Sequence, residues 1–393
     1  MDFEKNFLPY KHFAKIIVPE NLARALIREQ DSALSSFLSN DGGVEEDFDP
    51  AMPASATPAP VPAPAPKAKR RERFDQRMIQ AFDSERVEAE YEHRKKNEKS
   101  EQSRSKLAFL EDARRLGGKR EIPDFGKLLQ KPLFKQIRAD FPNMAEAISQ
   151  INEELVLSAA GQPEDFRFSP ILLNGVPGIG KTALAMKIAD ILGVKMEQMN
   201  ASGLQTGAQI VGSSSHWHES APSVLFKTLA SQDKAVFVLL LDEIDKVTND
   251  TRVSVLPALL NLLEPESAKR LKCAATGVEH DLSRLIVIGT SNRKEDIDPA
   301  LLSRFEVVDV LPPDPAQRKD IAERIHADLE KKMRKKVALD PAALDALSES
   351  DCDLRELSRA IRKGFSAALV RGDKASRPAL KLDAKKRTIG FIG

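Results

Sequence analysis

The chain has 393 residues, enough for two or three domains with real cores. Its 60 Lys plus Arg against 59 Asp plus Glu exclude a global field that would drive it onto nucleic acid or a membrane surface. Two cysteines exclude a disulfide scaffold and fit a reducing compartment, and the longest apolar run, 235–241, is too short to cross a bilayer.

In chain order, residues 1–49 read as a small helical segment. Its start, Met1-Asp2-Phe3-Glu4, lacks the basic and apolar parts of a secretory signal, so a cytoplasmic setting without a membrane partner is expected. Leu22, Leu26, Ile27, Leu34 and Leu38 fall near helical spacing. Residues 50–66 carry seven prolines among alanines, which remove backbone donors and give a disordered, semi-rigid linker. Residues 67–139 are dense in both charge signs. Phe74, Met78 and Phe82 stand at i, i+4, i+8 and predict one packing helical face, while 91–107 lacks the apolar seam of a coiled coil and reads as a charged, solvated helix, with a single docking stripe as the alternative. From about residue 140 an amphipathic helix (144–157) leads into apolar, strand-like runs at 171–173, 236–241, 285–288 and 307–311, separated by helices. Such runs are expected of parallel strands covered on both faces, so 140–313 reads as a doubly wound α/β layer. From Pro315 the pattern is purely helical (316–329, 341–347 and 354–370). It predicts a small α-helical lid over 314–372, followed by a tail, 373–393.

Gly175-Val176-Pro177-Gly178-Ile179-Gly180-Lys181-Thr182 fits G-x-x-x-x-G-K-[ST] at every fixed position, between a strand-like run, 171–173, and an Ala-rich helix, 182–192, that ends at Gly193; Ala183 joins the loop as a nucleotide-binding candidate. Glycines let backbone N–H groups close around phosphates, and the helix N-terminus adds positive charge. Lys181 supplies a point charge and Thr182 a hydroxyl for Mg²⁺, so ATP and Mg²⁺ are the expected cofactors. The run 236–241 ends in Asp242-Glu243-Ile244-Asp245, carboxylates delivered to the sheet edge beside that loop. Asp242 is expected to hold Mg²⁺ and Glu243 to polarise the attacking water. Asn292, after the run 285–288, is placed to fix the same water.

These motifs, with Asp298-Pro299-Ala300-Leu301-Leu302-Ser303-Arg304-Phe305 and Asp353-Leu354-Arg355, follow the order of AAA+ ATPases. They resemble Walker A, Walker B, sensor 1, arginine finger and sensor 2. Within that superfamily the chain is most similar to the ATPase module of Lon proteases, through 241–246, 258–266 and 278–283, over about residues 140–372. The resemblance implies a P-loop AAA+ fold and a homo-oligomeric ring, usually a hexamer. It also implies an Arg304 that reaches a neighbour's γ-phosphate and an Arg355 that senses nucleotide in cis. Asp353 replaces the small residue usual before that arginine; its carboxylate is placed either to pair with Arg355 or to cap the helix.

The family's protease domain would need nearly two hundred residues after the lid, so no protease activity is expected. The pore-loop stretch reads Ile210-Val211-Gly212, without the usual aromatic, and is followed by a polar segment holding Trp217. Ile210, Val211 and Trp217 are candidates for gripping a polypeptide; Trp217 packed under its own loop is the alternative. His216, His218 and Glu219 lack a fourth ligand and are not read as a metal site. The leading expectation is an ATPase that remodels protein clients recruited through the N-terminal region. A nucleic-acid-linked motor, using basic clusters at 67–73, 331–336 and 381–387, and a nucleotide-gated scaffold are the alternatives.

Overall fold

The computed structural model describes residues 77–97, 101–129, 132–204, 207–213, 221–247 and 255–379. The chain divides into two units, Met1–Arg77 and Met78–Gly393, and the architecture is that of the second. It opens with β1 (Met78–Gln80), helices α1 (Ser84–Asn97) and α2 (Glu101–Leu116), and a return strand β2 (Lys119–Glu121), antiparallel to β1. Helices α3 (Phe125–Leu129), α4 (Leu133–Asp140) and α5 (Ala145–Ala160) lead to the alternating part. That part runs β3 (Ile171–Asn174), α6 (Lys181–Leu192), β4 (Met196–Asn200), α7 (Ala208–Val211), α8 (Val224–Ala230) and β5 (Val238–Asp242). It continues with α9 (Leu256–Leu263), α10 (Pro265–Ala268), the paired β6 (Leu271–Lys272) and β7 (Glu279–His280), β8 (Ile286–Ser291), α11 (Pro299–Leu302) and β9 (Glu306–Asp309). Last come α12 (Pro315–Met333), β10 (Ala338–Leu339), α13 (Pro341–Ser348), α14 (Leu354–Arg371) and β11 (Ala375–Ser376).

Five strands form one parallel sheet in the order β4-β5-β8-β3-β9. Alternate side chains enter two separate cores. Leu172, Leu239, Leu241 and Val287 join one; Ile171, Leu173, Val238, Leu240, Ile286 and Ile288 join the other. Both faces are covered, which is why these strands are continuous apolar runs. The order puts β8 between the strand that feeds the phosphate loop and the strand that ends in Asp242, so three motif-bearing strand ends lie side by side. The edge strand β4 is mixed, with Met196 and Met199 (the latter buried in the core) among Glu197, Gln198 and Asn200, and carries no such signal.

Two expectations are corrected. Met78 lies in a strand, not on a helix face with Phe82, although Phe82 is buried. The solvated helix is expected over 91–107, where His93, Lys95 and Lys96 are exposed and Arg94 is buried, and the packing of the segment comes from residues on either side of that stretch. Phe82, Val87, Phe109, Leu110 and Ala113 enter the same core as Phe226 and Phe237, with Phe82 and Phe109 edge-on to Phe226 at 5.5 and 5.1 Å. The lid is not purely helical, because β10 and β11 form a short parallel pair beside its helices. The lid's own core is Ile321, Ala322, Leu344, Leu347, Leu357, Ala360 and Ile361. No described helix is long and apolar enough to cross a membrane.

Candidate active site

The phosphate loop joins β3 to α6. Gly178 and Gly180 adopt φ +81° and +101°, left-handed values that favour glycine. Gly180 is the N-cap residue of α6, so the helix begins at Lys181 and directs its N-terminal N–H groups toward the loop. The Lys181 ammonium donates to the carbonyls of Gly175 (2.6 Å) and Val176 (3.0 Å) and to Asn292 Oδ1 (3.2 Å). Burial pushes its pKa below the usual lysine value; Asp242, Asp245 and Glu243 oppose that shift, and the Arg355 charge adds to it.

Asp242 ends β5 among hydroxyl and amide groups. Thr182 Oγ1 lies 3.4 Å from both carboxylate oxygens, Gln198 Nε2 donates to Oδ2 at 3.0 Å, and the Thr290 hydroxyl donates to Oδ1. Glu243 follows at φ +57°, a strained value for a non-glycine residue, with its N–H donating to Thr290 Oγ1 at 3.1 Å. The Asn292 N–H lies 3.4 Å from Asp245 Oδ1, and the Asp245 carboxylate is buried. Thr290, Gln198 and Asp245 were not singled out by the motifs as site residues. Thr290 and Gln198 are ordinary strand residues in sequence, and only the strand order brings them to Asp242.

These groups face a cavity of about 950 Å³ between the sheet edge and the lid. Pro177, Gly178, Gly180, Lys181, Thr182, Ala183, Asp242, Glu243, Asn292 and Arg355 all line it. Gly175 and Ile179 do not; the Gly175 N–H bonds Ser291 O, and Ile179 is buried beneath the loop. The lid contributes Ile321, Ile325 and Leu354, which with Phe141 and Met186 add apolar lining to the cavity. At the rim Asp140 pairs with Lys187 of α6 (3.4 Å) and Arg324 of α12 (3.5 Å). Asp353 caps α14 by accepting the Glu356 N–H at 2.7 Å, which decides between the two roles open to it in the sequence.

Arg304 is apart from this cavity. It pairs with Glu264 (3.7 Å), donates to Ala300 O (2.9 Å), and lines a separate cavity of about 320 Å³. Ile210 is wholly buried in the main core, so its side chain is not available to grip a polypeptide; an aliphatic residue there serves packing. Val211 is partly buried against the same core, and Trp217 lies outside the described residues. Hard oxygen donors at Thr182 and Asp242 fit Mg²⁺, which takes one or two protein ligands alongside phosphate oxygens.

Residues 171–312 match the model of the family described as ATPase family associated with various cellular activities (AAA). The chain is similar to the peroxisomal Lon protease homolog 2 of Arabidopsis thaliana, 33% identical over 176 residues, covering 45% of this chain and 20% of that one. Against the Lon protease of Malacoplasma penetrans the match is 28% over 239 residues, covering 58% and 30%. The matched part is thus under a third of either relative's length. Among solved structures, a closed-state reconstruction of Hsp104 with ATPγS and FITC casein superposes with a TM-score of 0.53 at 20% identity. That superposition covers 65% of this chain and 52% of that one, a likeness of fold.

Proposed function

We propose that this chain, whose residues 171–312 form a Lon-like AAA module, binds ATP between its sheet edge and lid and hydrolyses it to remodel protein clients. The observation that carries the reading is the convergence of Lys181, Thr182, Asp242, Glu243 and Asn292 on one cavity. Lys181, now held by loop carbonyls, exchanges them for phosphate oxygens. Glu243 is the general base for the attacking water, and Asn292, already bonded to Lys181, orients that water near the γ-phosphate. Thr182 and Asp242 would hold Mg²⁺, which would supply neutralisation of phosphate charge there. Arg355 meets the phosphates from the lid.

Arg304 lies outside its own chain's cavity, which supports a ring in which it completes a neighbour's site; a hexamer is the form we propose. The reading assigns ATP turnover and no peptide-bond cleavage to these residues, and places the protein in the cytoplasm. Clients enter through the region before residue 140. A nucleic-acid motor is the competing reading, supported by the exposed cations Lys331, Lys332, Arg334, Lys335 and Lys336. Steady-state ATP hydrolysis, alone and with unfolded casein or single-stranded DNA, separates the two. Stimulation by casein is expected; stimulation by DNA alone would replace the protein-client reading.

A further inference from the structure

The first turn of α14 rests on the phosphate loop. The Leu354 N–H donates to the Gly178 carbonyl at 3.1 Å. A Cβ added to Gly178 would lie 2.7 Å from Asp353 Oδ2 and 2.8 Å from Asp353 Cβ and Cγ. Gly178 is therefore constrained twice, by its φ of +81° and by the Asp353 side chain filling the space a substituent would need. Leu354 and Arg355 line the nucleotide cavity, whereas Asp353 stands behind Gly178. The lid thus fixes an anion at the positive end of an 18-residue helix, against the loop that is to hold phosphates.

We propose that Asp353 is a positioning residue that seats the lid on the phosphate loop and whose charge holds nucleotide affinity down, so that product leaves readily. The proposal rests on the nucleotide-binding reading above. Capping needs only an acceptor, and Ser or Asn supplies one as well as Asp. The negative charge is surplus to the cap, and it acts on the nucleotide in two ways. It neutralises the helix end that would otherwise attract phosphate, and it repels phosphate charge across a single layer of backbone. Because the interaction crosses the loop near solvent, salt screens it. The Leu354 N–H bond to the Gly178 carbonyl couples a change in loop shape to the lid helix through the main chain.

The test is the Kd of MgADP and MgATP, by calorimetry on the full chain, for wild type, Asp353→Asn, Asp353→Ser and Lys181→Ala. Asp353→Asn keeps the cap and removes the charge. It should bind both nucleotides about three- to tenfold more tightly, with a slower ADP off-rate. The gap from wild type should narrow in about 0.5 M salt. Asp353→Ser should follow it and serves if the Asn variant does not fold. Unchanged or weaker binding in these variants, with Lys181→Ala losing nucleotide, overturns the role of Asp353 alone. Wild-type affinity in Lys181→Ala overturns the nucleotide-binding reading itself.

Discussion

The Thr290 hydroxyl donates to the Asp242 carboxylate, and its oxygen accepts the Glu243 N–H from the next strand at 3.1 Å. One buried side chain on β8 thereby holds both acids at the end of β5, including a Glu243 whose φ of +57° costs about 1–3 kcal/mol to maintain. Thr290→Val conserves shape and removes the hydroxyl. It should lower kcat about 10- to 100-fold with little change in KM, whereas Thr290→Ser should keep most activity. Equal losses in the two variants would assign Thr290 a packing role only.

Arg304 faces away from its own cavity, so its contribution should be supplied between subunits. Arg304→Ala should bind ATP normally and lose about 10²- to 10⁴-fold in kcat. Mixing it with Lys181→Ala subunits should restore part of the turnover, because each variant provides what the other lacks. Absence of any recovery, with weakened ATP binding in Arg304→Ala, would place the arginine in cis.

Arg120 is wholly buried and directs its guanidinium hydrogen bonds to main-chain carbonyls, with the Asp233 charge favouring its charged form. It donates to Leu229 O (2.9 Å) and Ala230 O (2.8 Å) at the end of α8, and to Gly117 O (2.7 Å) beyond the end of α2. Its guanidinium also lies 4.8 Å from the Phe82 ring. It satisfies carbonyls that helix ends leave open, and burial pushes its pKa down to about 10. Arg120→Ala should cost about 2–4 kcal/mol in urea unfolding. Lysine should rescue little, because one ammonium cannot serve both helix ends. An unchanged midpoint would remove Arg120 as the clasp of the segment 78–129.

His280 is stacked on Phe226 at 4.5 Å, with Nδ1 3.3 Å from Val278 O and no partner for its buried Nε2. Burial pushes its pKa down to about 4, although the Val278 carbonyl and Asp281 favour the charged form. Folding therefore keeps it neutral while the unfolded chain protonates near pH 6.5. Its stability contribution is complete above pH 6.5 and falls as pH drops toward 4, by about 3 kcal/mol in all. Thermal melts from pH 7 to 4 should fall more steeply for wild type than for His280→Leu. Parallel curves would show that His280 titrates normally.

The sequence carried the central strands and the phosphate chemistry clearly, for physical reasons. Strands β3, β5 and β8 are buried on both faces, so their composition announces them, and Lys181, Thr182 and Asp242 sit at offsets that phosphate binding dictates. Edge strand β4 was silent because Gln198 and its polar neighbours serve solvent and Asp242. Thr290 was invisible because threonine is common in strands, and its meeting with Asp242 depends on β8 lying next to β5. Helices α1 and α2 pack through a few side chains, Val87 and Leu110 among them, that stand outside the stretch 91–107 and so leave little trace in a charged sequence. Ile210 was misread because an aliphatic residue in a loop motif and one in a core look alike in sequence.

The account turns on Glu243 acting as the base for ATP hydrolysis, and the most direct measurement compares ATP turnover and ATP binding in wild type and Glu243→Gln. The predicted result is Mg²⁺-dependent turnover in wild type, with the variant retaining ATP affinity and losing at least about 10²-fold in kcat. Undiminished turnover in Glu243→Gln, or no ATP turnover in the wild-type protein, would contradict it.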